Sequence, residues 1–215
     1  METAEYAPGR GVDVYGAPAE ATVLLWHGMQ TDARRAVGPL AARVAARGLP
    51  VIAPDWDSHA PDGGRSDLVA SAEFARSWAP SAPLAVVGWS LGAAAAAGLA
   101  VAGDGVCHAV CLAGAFGTRE VPPAPPRAVP FTLVHGTADN VVSPEASREF
   151  AAQLRRLGWP VDLIELPTDH GAIVGARYDA EADRYEPSDD PDALHTADTV
   201  AGIIAAAVSG AAAPR

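Results

Sequence analysis

Val86-Val87-Gly88-Trp89-Ser90-Leu91-Gly92-Ala93-Ala94 decides the fold class of this 215-residue chain. Before it, residues 84–87 form an apolar run of strand length, bounded by Pro83; after it, residues 93–97 have the composition of a buried helix. Strand, sharp turn and helix in that order give Gly-x-Ser-x-Gly its meaning, because the turn strains the serine backbone and lifts the hydroxyl above the sheet. Glycine at 88 and at 92 leaves room where a side chain would collide with the neighbouring strand or helix. Ser90 is therefore a candidate nucleophile at the positive end of a helix.

Outward from this turn, strands and helices alternate. Upstream, 11–15 is a weak strand, 22–26 a stronger one and 50–54 a short buried one. The spacing predicts a helix over 33–47, interrupted at Gly38-Pro39 and stopped by Gly48, and a second from an N-cap at Ser66 to about Trp78. Downstream, 106–113, 130–135 and 161–166 read as strands, while 115–129, with four prolines, reads as loop. Ser143-Pro144-Glu145 starts a helix with Phe150, Leu154 and Leu157 as its buried stripe. Val200, Ile203, Ile204, Ala207 and Val208 mark a last amphipathic helix. Strands too apolar to own a wet face predict the α/β class: a mostly parallel central sheet with helices on both faces, in a single domain over 1–215. Ligands of such sheets sit beyond the carboxyl ends of the strands, where His27, Asp55, Ser90, Asp139 and His170 all fall.

Composition removes several alternatives. The net charge of -11 works against nucleic acid and anionic membranes as partners. The absence of lysine excludes Schiff-base chemistry on lysine and a Walker-type phosphate loop. No apolar run approaches the roughly 20 residues of a membrane span. Residues 1–10 carry no basic-then-apolar signal pattern, which gives a cytoplasmic expectation. Cys107 and Cys111 lie four apart, predicting two buried free thiols on one strand face, and two ligands without companions make no zinc site.

A serine hydroxyl needs a base to take its proton, and the base needs a carboxylate to fix its tautomer. His170, just past the last strand, is the candidate base, and Asp139, in the turn after 130–135, the candidate acid. Asp169 adjoins the histidine but would point elsewhere, and Asp162 lies within a strand. Ser90, Asp139, His170 is the chain order expected of a serine elbow on such a sheet.

Together with His27-Gly28-Met29, His135-Gly136-Thr137-Ala138-Asp139 and Asp169-His170-Gly171, the serine turn resembles the α/β-hydrolase superfamily over about 20–208. Small bacterial esterases and dienelactone-hydrolase-like members are the nearest type. The resemblance implies an oxyanion hole made by the backbone N–H groups of Leu91 and Met29, with His27 bracing the loop. Trp89, Trp56 and His27 flank the site loops and are the candidates for substrate contact, with core packing the alternative for the tryptophans. It also implies a serine hydrolase of the carboxylesterase type, cleaving a carboxylic ester or thioester without cofactor or metal, as a monomer or homodimer on a small-molecule ester. An acyltransferase with the same triad, or a non-catalytic binding protein on the same fold, are the alternatives. Two departures stand out: 115–129 is too short for a helical lid, and dienelactone hydrolases use cysteine where this chain has serine. Finally, 176–194 is an acidic insertion without helical period. It reads either as a solvated loop or, through Tyr178 and Tyr185, as a partial wall over Ser90.

Overall fold

A computed structural model describes residues 1–103, 105–117 and 120–212. Eight strands form one sheet: β1 (Glu2–Ala7), β2 (Arg10–Tyr15), β3 (Thr22–Trp26), β4 (Val51–Pro54), β5 (Leu84–Trp89), β6 (Val106–Leu112), β7 (Phe131–Gly136) and β8 (Val161–Leu166). Their order is β1-β2-β4-β3-β5-β6-β7-β8. The six strands from β4 to β8 run parallel; β2 pairs antiparallel with β4, and β1 antiparallel with β2. Continuous apolar sequence is the cause: β3, β4, β5 and β7 are buried along their whole length, so neither face can be left wet.

Helices α1 (Gly38–Ala45) and α5 (Pro191–Ala212) cover one face, where Leu40 and Val44 share a core with Val200, Ile204 and Val208. Helices α2 (Arg65–Trp78), α3 (Leu91–Ala102) and α4 (Pro144–Arg156) cover the other, through Ala72, Ala96, Phe150 and Leu154. As the sequence requires, Gly38-Pro39 restarts the first helix after a 3-10 turn over Arg34–Val37, and Gly48 follows it at φ 84°. Over Pro191–Gly210, α5 is long and apolar enough to cross a membrane, contrary to the expectation that no stretch approached that length. Val200, Ala201, Ile204 and Val208 are nonetheless fully buried against the sheet side of the domain.

Four local readings need correction. β1 lies where the sequence suggested no element; its ladder with β2 supplies what its own residues do not. Helix α2 is capped by Gly64 at φ 80°, not by Ser66, whose N–H and Oγ both donate to Asp62 at 2.8 and 2.5 Å. The register of β5 against β6 shifts by one residue after Leu84, so the two cysteines do not share a face. Cys111 is buried in one core and Cys107 packs against the other, both as free thiols. The acidic stretch is no simple loop: β9 (Ala176–Asp179) and β10 (Arg184–Pro187) form an antiparallel hairpin, and α5 already begins at Pro191.

Between β6 and β7 no helix occurs among the described residues, as the four prolines lead one to expect. The chain fills that gap with side chains instead. Phe116 stacks on Phe150 with ring centres 4.0 Å apart, and Trp159 Nε1 donates to the Pro122 carbonyl at 2.8 Å. Among the described residues no helical cover over the carboxyl edge of the sheet comes from this connection.

Candidate active site

At the end of β5 the backbone of Ser90 takes φ 57° and ψ -119°, a region that side-chain-bearing residues avoid. Neighbouring strands hold it there. The Ser90 N–H donates to Leu112 O at 2.8 Å, and its carbonyl accepts from Ala93 and Ala115, both at 3.1 Å. A Cβ at Gly88 would sit 2.6 Å from the Ala93 nitrogen and closer still to the Gly92 carbonyl. At Gly92 it would meet the Trp26 carbonyl at 2.6 Å, with the His27 carbonyl nearer yet. Both glycines are therefore required by backbone against backbone. The Leu91 N–H opens α3, among the first amides that a helix leaves without an intrahelical acceptor. A Cβ on Gly28 would lie 3.3 Å from the Ser90 Cβ, so the loop carrying Met29 rests directly against the serine.

Asp139 and His170 meet. His170 Nδ1–H donates to Asp139 Oδ2 at 2.7 Å, which leaves Nε2 as the acceptor of that ring. The other carboxylate oxygen, Oδ1, accepts the N–H groups of Val141 and Val142, each at 2.9 Å. His135 Nε2–H donates to the Val142 carbonyl at 3.0 Å and also stands 3.3 Å from Oδ2, while its Nδ1 accepts the Ser147 hydroxyl at 2.6 Å. Burial opposes the charge on Asp139, but the bonds from His135, His170 and Val142 outweigh it and hold the carboxyl well below the usual carboxylate range. The two turns are themselves joined: Ala138 N–H donates to Thr168 O at 3.0 Å, and a Cβ on Gly136 would collide with that same carbonyl. Asp169 points away, as expected, its Oδ1 taking the N–H groups of Gly171 and Ala172. Asp55 also stays apart; it is paired with Arg34.

His170 is buried and fastened by aromatic residues. Trp89 Nε1 donates to its carbonyl at 2.9 Å, and the Trp89 and Tyr185 rings lie 5.2 and 5.7 Å from the imidazole. Tyr185 in turn meets Trp89 edge-on at 5.0 Å. The hairpin thus reaches the site, as a buttress behind the candidate base. A cleft of about 430 Å³ opens on the hairpin side of His170, between Asp169, Arg177, Tyr178 and Asp190; Ser90 does not line it.

His27 is fully buried. Its Nδ1–H donates to Gly28 O at 2.9 Å, while Nε2 accepts from Trp56 N–H at 3.2 Å and Ala33 N–H at 3.3 Å. Burial lowers its pKa to about 3, so the ring is neutral and its tautomer is fixed by these bonds. Because Gly28 C=O and Met29 N–H belong to one peptide plane, the histidine also aims the Met29 N–H. Trp89, Trp56 and His27, the candidates for substrate contact, are enclosed by the protein. The three are 2, 1 and 0% exposed, and their polar atoms are spent on the protein. They brace the site. Residues that sequence reasoning passed over are Gln30 and Ser58 in this loop's surroundings, and His135 as a carboxylate donor. A histidine one turn before the candidate acid was the available signal for the last. Among the described residues no three His, Cys, Asp or Glu side chains are grouped to hold a metal ion.

No family model and no curated protein sequence matches the chain. Solved structures do. An esterase of Thermogutta terrifontis, modified by tabun, superposes with a TM-score of 0.73 at 16% identity, covering 100% of this chain and 96% of that one. The same esterase has been solved with propionate and with butyrate bound. An alpha-beta serine hydrolase homologue from Coxiella burnetii gives 0.61 at 19% identity over 75% and 83% of the two chains. Est1E from Butyrivibrio proteoclasticus, with ferulic acid bound, gives 0.65 at 14% over 97% and 100%. This chain has the α/β-hydrolase fold. Within that fold the strand order puts the Ser90 turn at the end of the central β5. Asp139 follows the end of β7 and His170 lies beyond β8, so the three stand at the same edge of the sheet.

Proposed function

We propose that this α/β-hydrolase-fold protein cleaves carboxylic esters through an acyl-enzyme on Ser90. The observation that carries the reading is the 2.7 Å bond from His170 Nδ1 to Asp139 Oδ2, beyond a strained serine on a two-glycine turn. In this mechanism Ser90 Oγ attacks the ester carbonyl as His170 Nε2 takes its proton. The oxyanion that forms is stabilised by the N–H groups of Leu91 and Met29, each such donor worth about 3 to 4 kcal/mol in the transition state. The C–O bond then breaks, the leaving alcohol takes the proton from His170, and water repeats the sequence on the acyl-enzyme. Asp139 remains ionised throughout and stabilises the imidazolium.

The acyl group in this reading is short. No lid covers the edge, and each buried methylene adds only about 0.8 kcal/mol. Apolar side chains exposed near the site include Met29 and Val141, on the loops of the oxyanion donor and of the acid, and Tyr178 in the cleft beside His170. The small carboxylates seen in the Thermogutta esterase are consistent with that scale.

A fluorophosphonate probe and a series of p-nitrophenyl esters test the proposal. One adduct per chain should map to Ser90 and be absent in Ser90→Ala, with turnover greatest from acetyl to butyryl. Ser90→Ala and His170→Ala should each lower ester hydrolysis on the order of 10⁶-fold. Asp139→Asn should cost less, on the order of 10⁴-fold, because it spoils the tautomer but leaves nucleophile and base in place. Labelling that survives Ser90→Ala would sink the assignment, and loss of activity in Asp169→Asn with Asp139→Asn unaffected would replace the acid.

A further inference from the structure

Gln30 follows the candidate oxyanion donor Met29, and its side chain leaves the loop to pair with β10. Oε1 accepts the Tyr185 N–H at 2.8 Å, and Nε2 donates to the Asp183 carbonyl at 3.1 Å. These two backbone groups lie two residues apart at the edge that β10 turns away from β9. A primary amide supplies one acceptor and one donor side by side, so Gln30 stands in for one residue of a missing strand. Arg184 Nη2 adds a weaker tie at 3.3 Å to the Asp32 carbonyl, on the same loop. From that fastening, the hairpin's Tyr185 ring extends to His170 and Trp89, at 5.7 and 5.0 Å. A single element therefore touches both the loop that would stabilise the oxyanion and the segment that carries the base.

We propose that Gln30 is a positioning residue, which clamps the Met29 loop to the β9–β10 hairpin and so holds the oxyanion donor in register with His170. The inference rests on the ester-hydrolase reading of Ser90. Its physical basis is the steepness of transition-state stabilisation with distance. The Met29 carbonyl is already held by Ser58 Oγ at 2.6 Å and its loop by Thr31 Oγ1 on Asp57 at 2.8 Å, both from the β4 side. Without Gln30 the loop keeps those ties and, on the hairpin side, only the weaker Arg184 bond to the Asp32 carbonyl, so it can shift away from the base. Ground-state substrate, with no charge on its carbonyl oxygen, is little affected by such a shift.

Gln30→Met keeps the length of the side chain and removes both bonds, while Gln30→Glu keeps the acceptor for Tyr185 and removes the donor to Asp183. With p-nitrophenyl butyrate, Gln30→Met should lower kcat about 10- to 100-fold with KM within about twofold of wild type, and Gln30→Glu should fall between. A trifluoromethyl ketone, which forms a tetrahedral oxyanion on the serine, should lose affinity by the same factor as kcat. The apparent pKa of kcat/KM should not move, since the His170–Asp139 pair is untouched. Unchanged kcat with a lowered melting temperature would overturn the proposal, reducing Gln30 to a structural staple. A fall in kcat without weaker ketone binding would overturn it too. Wild-type protein that neither turns over esters nor takes a fluorophosphonate on Ser90 would remove the underlying reading, and the clamp with it.

Discussion

At the serine end of the site, backbone lies against backbone. Gly88 faces the Gly92 carbonyl, Gly92 faces those of Trp26 and His27, and Ser90 is held by Leu112, Ala93 and Ala115 through main-chain bonds alone. At the histidine end, side chains do the holding. His170 is fixed by the Asp139 carboxylate, the Trp89 indole and the Tyr185 ring, from three separate elements. Backbone contacts at these distances admit one residue type, so they write a motif into the sequence. Side-chain contacts can be met by several residue types from distant positions, so they leave no local mark. The first kind of contact is legible and intolerant; the second leaves its partners illegible and is adjustable.

That contrast breaks most sharply at Gly92. An added Cβ would press on two carbonyl oxygens of the β3 end, neither of which can move without shifting the sheet. Gly92→Ala should destabilise the protein by at least about 3 kcal/mol, at or beyond the usual limit for overpacking. Gly202→Ala, on α5, is the fair control: its Cβ would find only Arg47 Nε, 4.0 Å away, and should raise stability by up to about 1 kcal/mol through helix propensity. Urea melts of the two variants decide it. A Gly92→Ala protein as stable as wild type would mean that the elbow relaxes more freely than its contacts allow.

The same contrast explains what could be read from the chain beforehand. The β3-to-β8 sheet, the serine turn and the strand-end positions of Asp139 and His170 were legible, because buried parallel strands need unbroken apolar runs and tight turns need glycine. β1 was not, since Glu2–Ala7 has little apolar patterning and depends on a partner strand. Nor was the hairpin, whose acidic residues hide a ladder of Tyr185 against Tyr178 and whose free edge is completed by Gln30 from 155 positions away. A one-residue register shift, invisible in composition, separated the two cysteines. The bond from His27 Nδ1 to the Gly28 carbonyl left no mark in the sequence either.

Acid sharpens the comparison, because a buried histidine beneath the Met29 loop titrates. Burial lowers the pKa of His27 from 6.5 to about 3, and burial likewise lowers that of His108 to about 4, against a weaker pull upward from Asp162. A folded pKa below the unfolded one means that the unfolded chain takes up the proton first. Stability from each group is therefore full above about pH 6.5 and drains away as the pH falls toward the folded value. Between pH 6.5 and 4.5 His27 alone should cost about 2 kcal/mol, somewhat less than two full units at about 1.4 kcal/mol each because the unfolded ring is already half protonated at pH 6.5. Urea melts across this range should fall, and His108→Leu should fall less steeply than wild type. A flat profile from pH 6.5 to 4.5 would show that the buried rings accept protons without opening the structure.

The smallest effect belongs to the histidine end, and it tests whether side-chain holding is as adjustable as argued. Trp89 stands in the serine motif, yet its indole holds His170: Nε1 donates to the His170 carbonyl at 2.9 Å, and its ring packs 5.2 Å from the imidazole. Trp89→Phe keeps an aromatic ring beside His170 and Tyr185 and removes the donor. A buried carbonyl that loses its bond costs about 1 to 2 kcal/mol. Asp139 still holds Nδ1 of the same residue, so the base should loosen without leaving. The expected result is a drop in kcat/KM of about tenfold on p-nitrophenyl butyrate, equivalent to about 1.4 kcal/mol, with Ser90 still labelled by the fluorophosphonate. Gly92→Ala, by contrast, should lose folded protein first. If Trp89→Phe abolishes activity as fully as Ser90→Ala, the histidine end is as intolerant as the elbow and the contrast collapses. If it changes nothing, the indole is packing alone, and Asp139 with Tyr185 suffices to hold the base.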